Sequence, residues 1–138
     1  MSRINPNAKQ KVLNKYNGRC SYCGLKFDTL TLDHIKPVAE GGTWGIYNLR
    51  PACYDCNHCR GSRTIEVFRR LIEVMIGRKY SKGYHLNKTW ERLTDIYKLP
   101  VIFYFETIDT GILDYPLKLP SLDNKYTSMK GLNWNLTL

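Results

Sequence analysis

The sequence lacks any apolar run of the roughly 18 residues that a membrane-spanning helix needs. Its polar start, Met1 to Asn5, also lacks the apolar core of a signal peptide, so we expect an intracellular protein that does not associate with a membrane. Acidic residues are scarce, because 12 Asp and Glu stand against 21 Lys and Arg and give a net charge of +9. This excess favours a polyanionic partner such as nucleic acid over an acidic protein. A basic surface that serves only solubility is the alternative.

Four of the five cysteines form two Cys-x-x-Cys pairs, Cys20/Cys23 and Cys53/Cys56. In a reducing compartment such pairs are metal ligands more often than disulfides, and the unpaired Cys59 also argues against a disulfide framework. A two-residue spacing lets both thiolates of a pair approach one tetrahedral ion, so the pattern predicts a closed structural Zn²⁺ site. We interpret Cys59 as a small hydrophobe and not as a ligand.

Hydrophobic periodicity predicts one domain with a mixture of helices and short strands. Asn5-Pro6 and Thr64 are typical helix starts, and Pro37 with Gly41-Gly42 indicates a turn between two strands. The predicted elements are a helix over 5–18, strands over 29–33 and 44–49, a short helix within 53–63, helices over 64–77 and 88–98, and a strand over 101–105. The first strand is expected to bury Leu30 and Leu32 on one face.

Several short blocks of distinctive residues follow one another between Cys20 and Gly61. They are Cys20-x-x-Cys23, Leu32-Asp33-His34-Ile35-x-Pro37, Gly41-Gly42, Asn48-Leu49, and Cys53-x-x-Cys56-Asn57-x-x-Arg60-Gly61. In these blocks and their order the chain resembles the HNH endonucleases, also called the ββα-metal or His-Me finger nucleases. The resemblance implies an α+β fold with a ββα-metal core and a four-cysteine zinc site, flanked by helices. It also implies metal-dependent cleavage of DNA phosphodiester bonds by a phage-type or restriction-type enzyme, active in a bacterial or phage-infected cell.

The resemblance also assigns roles to individual residues. His34 matches the general base that takes a proton from the attacking water, and Asp33 and Asn57 match the protein ligands of one catalytic Mg²⁺ or Mn²⁺. Asn48 matches the polar residue that braces the loop holding the histidine through side-chain hydrogen bonds to backbone. Because Asp33 and His34 would point to opposite faces of a regular strand, we expect a bend or bulge that brings both into the site.

Several roles have alternatives. Asn57 could instead cap the short helix, and His58 is the alternative metal ligand. Four basic residues are expected to contact phosphate, with a solvated surface as the other interpretation: Arg60, Arg63, Arg50 and Lys36.

We expect residues 1–77 to form the nuclease core and residues 78–138 to form an extension packed on it. Because one site cuts one strand, a homodimer is possible. The competing functions are a non-catalytic zinc-ribbon protein that binds nucleic acid and an assembly or packaging component that acts through protein contacts.

Overall fold

The computed structural model describes residues 4–108, which form four α-helices and one two-stranded antiparallel sheet. The elements are α1 (Pro6–Lys15), β1 (Thr31–His34), β2 (Leu49–Ala52), α2 (Tyr54–Arg60), α3 (Ile65–Lys79) and α4 (Lys88–Ile96). Short 3₁₀ helices occupy Val38–Glu40, Ile46–Asn48 and Tyr104–Thr107. The mixture of helices with a small sheet agrees with the predicted class. Residues 109–138, about half of the expected C-terminal extension, lie outside the described residues.

The two predicted helix starts are confirmed by side-chain caps. The side chains of Asn5 and Thr64 each accept a hydrogen bond from the backbone N–H three residues further on, which satisfies a donor that the helix leaves open. α3 continues past Gly77, its predicted end, to Lys79, because a glycine weakens a helix without ending it. No helix in residues 4–108 has both the length and the apolar character needed to cross a bilayer.

β1 and β2 form the predicted hairpin, with Asp33 opposite Arg50 and His34 opposite Leu49. The second strand begins only at Leu49, so the strand predicted over 44–49 is wrong. That segment turns instead into a 3₁₀ helix, which lets the Asn48 side chain bond to the preceding loop. β1 pairs in regular register through His34, so the expected bulge is not found among its paired residues.

The strand predicted over 101–105 is also wrong. Tyr104 and Phe105 donate their backbone N–H groups to the carbonyls of Tyr22 and Ser21, at 2.9 and 2.8 Å, and the chain then turns into a 3₁₀ helix. The apolar run is therefore buried against the turn that carries the first cysteine pair instead of pairing in the sheet.

Two groups of buried side chains contact the hairpin. The larger group surrounds the paired cysteines and joins α2, α3 and α4 through Tyr22, Phe68, Ile72, Leu93 and Phe103. The smaller group packs α1 on β2 through Val12, Tyr16 and Leu49. Leu30 belongs to the first group and Leu32 packs against the second, so they do not share one buried face as predicted. The hairpin is thereby held between a helical body and α1.

Candidate functional site

The four paired cysteines converge on one point. The sulfur atoms of Cys20, Cys23, Cys53 and Cys56 all lie within 4.8 Å of one another. In a tetrahedral site with Zn–S distances of about 2.3 Å, the sulfur atoms stand about 3.8 Å apart, so this cluster fits a single Zn²⁺ ion. Across residues 4–108 no other group of three or more His, Cys, Asp or Glu side chains is arranged to hold a metal. The predicted four-cysteine cluster is confirmed.

Two turns of the same kind present these sulfurs. The backbone N–H of Cys23 points at the Cys20 sulfur at 3.5 Å, and that of Cys56 points at the Cys53 sulfur at 3.4 Å. Gly24 closes the first turn with a φ of 78°, a conformation that favours glycine. N–H groups directed at sulfur favour the thiolate, which is the form that binds metal.

The surroundings separate the paired cysteines from the fifth one. Burial acts to raise the pKa of the Cys20 thiol, but hydrogen bonds with the other three paired cysteines lower it below its ordinary value. Cys59 lies outside the cluster, is 4% exposed, and has its pKa raised to about 12 by burial. Cys59 therefore remains a neutral thiol in the core, in line with its interpretation as a small hydrophobe.

The chain after α4 contributes an outer contact to the cysteine cluster. The hydroxyl of Tyr97 lies 3.2 Å from the sulfur of Cys56. Burial and the neighbouring thiols hold the pKa of Tyr97 well above its ordinary value, so its hydroxyl stays a neutral hydrogen-bond donor. Outer donors of this kind orient and tune metal ligands. The sequence gave no sign of this contact.

The carboxylate of Asp33 is held through one of its two oxygens. Its Oδ2 accepts a hydrogen bond from Arg60 Nη1 at 2.7 Å and another from the Tyr22 hydroxyl. Among the described residues no donor reaches Oδ1, although the side chain is only 13% exposed. One carboxylate oxygen is thus fixed by the protein, and the other is available to a hard cation.

A pocket of about 230 Å³ opens where β1 ends. It is lined by Asp33, His34, Pro37, Val38, Arg60, Gly61 and Ser62. Adjacent residues of a strand project to opposite faces, yet Asp33 and His34 both line this pocket because they occupy the last paired positions of β1. Both side chains therefore reach the pocket at the end of the strand, without a bulge among the paired residues where a bend or bulge was expected.

The imidazole of His34 sits against an aromatic wall. Its ring packs edge-on against Trp44, with the centroids 4.4 Å apart, and its Nε2 is buried without a hydrogen-bond partner in residues 4–108. Burial lowers the pKa of His34 below 6.5, while the Asp33 carboxylate opposes the shift and Arg60 adds to it. The ring is thus predominantly neutral at pH 7 and has the capacity to accept a proton.

Asn48 ties together the loop that follows His34. Its Oδ1 accepts the Lys36 N–H at 2.7 Å, and its Nδ2 donates to the carbonyls of Lys36 at 3.0 Å and Thr43 at 2.8 Å. Gly42 lies so close that a Cβ there would stand 1.8 Å from the Lys36 carbonyl oxygen. These hydrogen bonds are the ones expected of a brace, and the loop closes tightly enough to require glycine at position 42.

Asn57 lies on α2 with its amide in a fixed orientation. The Thr31 hydroxyl donates to the Ala52 carbonyl at 2.9 Å, so it is left to accept from Asn57 Nδ2 at 3.2 Å. The amide oxygen is directed away from this bond, and no described donor reaches it. Cys53 and not Asn57 caps α2, so the helix-cap interpretation of Asn57 is wrong.

α2 lies along β1 with two matching contacts. Thr31 and Asp33 share one face of the strand, and Asn57 and Arg60 are one turn apart on the helix. Asn57 contacts Thr31, and Arg60 contacts Asp33. His58, the alternative ligand, instead points outward and stacks on the Tyr54 ring, with centroids 5.6 Å apart.

With this geometry established, comparison with known proteins gives one result. Residues 20–63 match the family model described as HNH endonuclease. We call these residues the HNH segment. The HNH segment spans about a third of the chain and contains every site residue predicted from the sequence. Searches of curated proteins and of solved structures found no match to the chain.

The four basic residues of the HNH segment that were expected to contact phosphate differ in exposure. Arg50 is 1% and Arg60 2% exposed, and both are engaged inside the protein. Arg60 bonds to Asp33, to the Tyr22 hydroxyl and to the His34 carbonyl, so the structure does not present it to phosphate. Arg63 is exposed and donates to the Cys59 carbonyl, and Lys36 is half-buried at the loop. The expectation thus fails for Arg50 and Arg60 because both guanidinium groups are buried.

Tyr22 was not among the site residues predicted from the sequence. It stands inside the first Cys-x-x-Cys pair of the HNH segment, is fully buried, and contacts the carboxylate that lines the pocket. An aromatic residue at this position carries no recognisable signal, because core aromatics are common and the hydroxyl partners come from distant parts of the chain.

Proposed function

We propose that the chain is an HNH endonuclease that hydrolyses DNA phosphodiester bonds with one divalent metal ion and His34 as general base. The observation that carries this proposal is that Asp33 and His34 line one pocket inside a segment that matches the HNH endonuclease family. The hairpin followed by α2 would then be the ββα-metal core, and residues 1–77 the nuclease unit. Residues 78–138 would be an extension packed on it.

The oxygens left open by the protein support a catalytic Mg²⁺ or Mn²⁺. The Oδ1 atoms of Asp33 and Asn57 are both without described donors, and hard cations prefer such oxygen ligands. With two ligands from the protein, positions remain for waters and a phosphate oxygen. Such an ion, when bound, polarises the phosphate and stabilises the charge on the leaving 3′ oxygen.

The remaining chemistry belongs to protein groups. Neutral His34 accepts a proton from the attacking water, which requires that its ring stay at a fixed place in the pocket. Trp44 packs against that ring, and Asn48 holds the loop that follows it. Arg60 keeps the carboxylate of Asp33 in place by a hydrogen bond and by charge. The products would carry 5′-phosphate and 3′-hydroxyl ends.

DNA binding would depend on charge more than on base contacts. The net charge of +9 supports a salt-sensitive interaction with the phosphate backbone, in which Arg63 and Lys36 remain the candidates near the pocket. A single site per chain cuts one strand per encounter. A double-strand break would therefore require two events or a homodimer.

The test is cleavage of supercoiled plasmid by the purified protein. The protein is dialysed free of added divalent ions, its zinc content is measured, and Mg²⁺ or Mn²⁺ is then added. We expect nicked circles only after addition, with ends that DNA ligase reseals without further treatment. If the zinc-loaded protein binds DNA in a gel shift but cuts it with neither ion, the nuclease proposal fails. The non-catalytic zinc-ribbon interpretation then takes its place.

A further inference from the structure

Tyr22 is anchored from two sides. Its backbone lies within the first cysteine pair, and its carbonyl accepts the Tyr104 N–H at 2.9 Å. Its ring is fully buried and packs edge-on against Phe68 and Phe103, with centroid distances of 5.7 and 5.6 Å. The ring therefore cannot move without disturbing the core around the cysteines, and its hydroxyl occupies a fixed point.

The Tyr22 hydroxyl uses its full hydrogen-bonding capacity. It accepts from Arg60 Nη1 at 3.2 Å and from Arg50 Nε at 3.3 Å, and it donates to Asp33 Oδ2. A phenol has one donor and two acceptor positions, so the direction of each bond is determined. Because both arginines can only donate, the single proton of the hydroxyl goes to the carboxylate.

This arrangement fixes which oxygen of Asp33 remains open. Tyr22 and Arg60 both donate to Oδ2, so the carboxylate cannot rotate to exchange its oxygens without breaking two partly buried hydrogen bonds. Oδ1 is then the oxygen that accepts from no donor in residues 4–108, on a side chain that lines the pocket. We propose that Tyr22 is a positioning residue that links the cysteine cluster to the Asp33 carboxylate and orients its Oδ1 toward a divalent cation.

This inference rests on the proposed function only in that the bound cation is taken to be the catalytic one. The packing contacts of Tyr22 are made by ring atoms, whereas its contact with Asp33 is made by the hydroxyl, which also accepts from the buried Arg50 and Arg60. The hydroxyl is therefore the group to remove. The substitution Tyr22→Phe removes it and keeps the ring that packs on Phe68 and Phe103.

The matched control is Tyr104→Phe. It also removes one hydroxyl, which accepts a hydrogen bond from Asn17 at 2.8 Å, at an exposed place that the pocket does not include. Both variants are purified with zinc, and their zinc content and cooperative thermal unfolding are compared with the wild type. Comparable zinc content and cooperative unfolding establish that any further difference does not come from loss of zinc or of the fold.

The deciding measurement is Mn²⁺ binding without DNA, followed by the electron paramagnetic resonance signal of free Mn²⁺. Groups that orient a metal ligand typically contribute about 10- to 100-fold to affinity, so we expect Tyr22→Phe to weaken Mn²⁺ binding by about that factor. Tyr104→Phe should bind as the wild type does. The Mn²⁺ concentration for half-maximal nicking should shift in parallel, with a smaller change in the rate at saturating Mn²⁺. Unchanged Mn²⁺ affinity in zinc-loaded Tyr22→Phe overturns the proposal.

If Tyr22→Phe does not fold, Arg60→Lys tests the same link. Lysine keeps the positive charge but is shorter and lacks the Nε that donates to the Arg63 carbonyl, so its nitrogen is not held where Nη1 contacts Asp33, Tyr22 and the His34 carbonyl. Weaker Mn²⁺ binding with zinc retained is the expected result, and wild-type binding contradicts it. The two proposals fail separately. Wild-type protein that binds Mn²⁺ but never nicks DNA refutes the nuclease, whereas nicking with no effect in either variant refutes the positioning role.

Discussion

The side chain of Asn48 bonds both backbone polar groups of Lys36, accepting the N–H at 2.7 Å and donating to the carbonyl at 3.0 Å. A third bond reaches the Thr43 carbonyl at 2.8 Å. One side chain therefore closes the loop between the strands immediately after His34. We expect the position of the imidazole relative to Asp33 to depend on this closure.

Substitution Asn48→Ala removes all three hydrogen bonds and leaves partly buried backbone groups without partners. We expect a loss of about 1–3 kcal/mol in the free energy of unfolding, measured by denaturant titration. Nicking activity should fall further than this loss explains, because the loop after His34 is released. The control is Asn14→Ala, which removes only an exposed side-chain contact with Gln10 and should change stability by less than about 0.5 kcal/mol. Equal losses of stability and of nicking activity in the two variants would show that Asn48 does not brace the loop.

Position 42 should accept glycine only. In Gly42→Ala the new Cβ would stand 1.8 Å from the Lys36 carbonyl oxygen, so the loop must shift. We expect a destabilisation of about 1–3 kcal/mol or more, together with loss of nicking. Gly45→Ala in the same loop is the control, because its φ of −68° suits alanine and its nearest neighbour is a side-chain oxygen at 3.4 Å. A Gly42→Ala protein as stable as Gly45→Ala would show that the loop is not closed as described.

Zinc should be essential for folding, and only the paired cysteines should hold it. Cys56→Ala is expected to purify without zinc and without a cooperative thermal transition, because binding of a structural Zn²⁺ contributes on the order of 10 kcal/mol. Cys59→Ala should keep one zinc per chain and unfold cooperatively, since Cys59 lies in the core outside the cluster. Metal analysis by mass spectrometry and circular dichroism give both results. Zinc retained in Cys56→Ala, or lost in Cys59→Ala, would overturn the assignment.

The identity of the second oxygen ligand can be decided by two alanine variants. The amide oxygen of Asn57 accepts from no donor in residues 4–108 and its Nδ2 donates to Thr31, whereas His58 is exposed and stacked on Tyr54. We therefore expect Asn57→Ala to weaken Mn²⁺ binding by at least about tenfold and His58→Ala to leave it within about twofold. Calorimetric titration of the zinc-loaded proteins measures both. The reverse order of effects would make His58 the ligand.

Prediction from the sequence succeeded where a residue type has one characteristic structural role, such as capping a helix or binding zinc. Asn5 and Thr64 each cap a helix through an N–H group three residues away, so these caps could be predicted from the local sequence. The cysteine cluster joins two distant pairs, and it could be predicted because two Cys-x-x-Cys pairs together supply the four ligands of a zinc site. Failures occurred where tertiary contacts decide. The segment 44–49 reads as a strand by its apolar residues, but the bonds of Asn48 to the preceding loop turn it into a 3₁₀ helix.

In the candidate site, too, prediction from the sequence failed where tertiary contacts decide the position of a side chain. From its position on α2, Arg60 was expected to contact phosphate at the surface. It is buried instead, because its guanidinium group donates to the Asp33 carboxylate and the Tyr22 hydroxyl. Neither partner is near Arg60 in the sequence. The contacts of Tyr22 could not be predicted for the same reason, since its hydroxyl bonds to three groups that only the fold brings together.

The most direct test of the central claim compares His34→Ala with His85→Ala in the plasmid-nicking assay under single-turnover conditions. His85 is an exposed histidine outside the HNH segment, so the pair separates loss of the general base from loss of any histidine. Both variants are first shown to retain zinc and to bind DNA. A general base typically contributes 10²- to 10⁴-fold, so the account predicts that His34→Ala slows metal-dependent nicking by about that factor while His85→Ala cuts at the wild-type rate. Wild-type nicking by zinc-loaded His34→Ala would contradict the account.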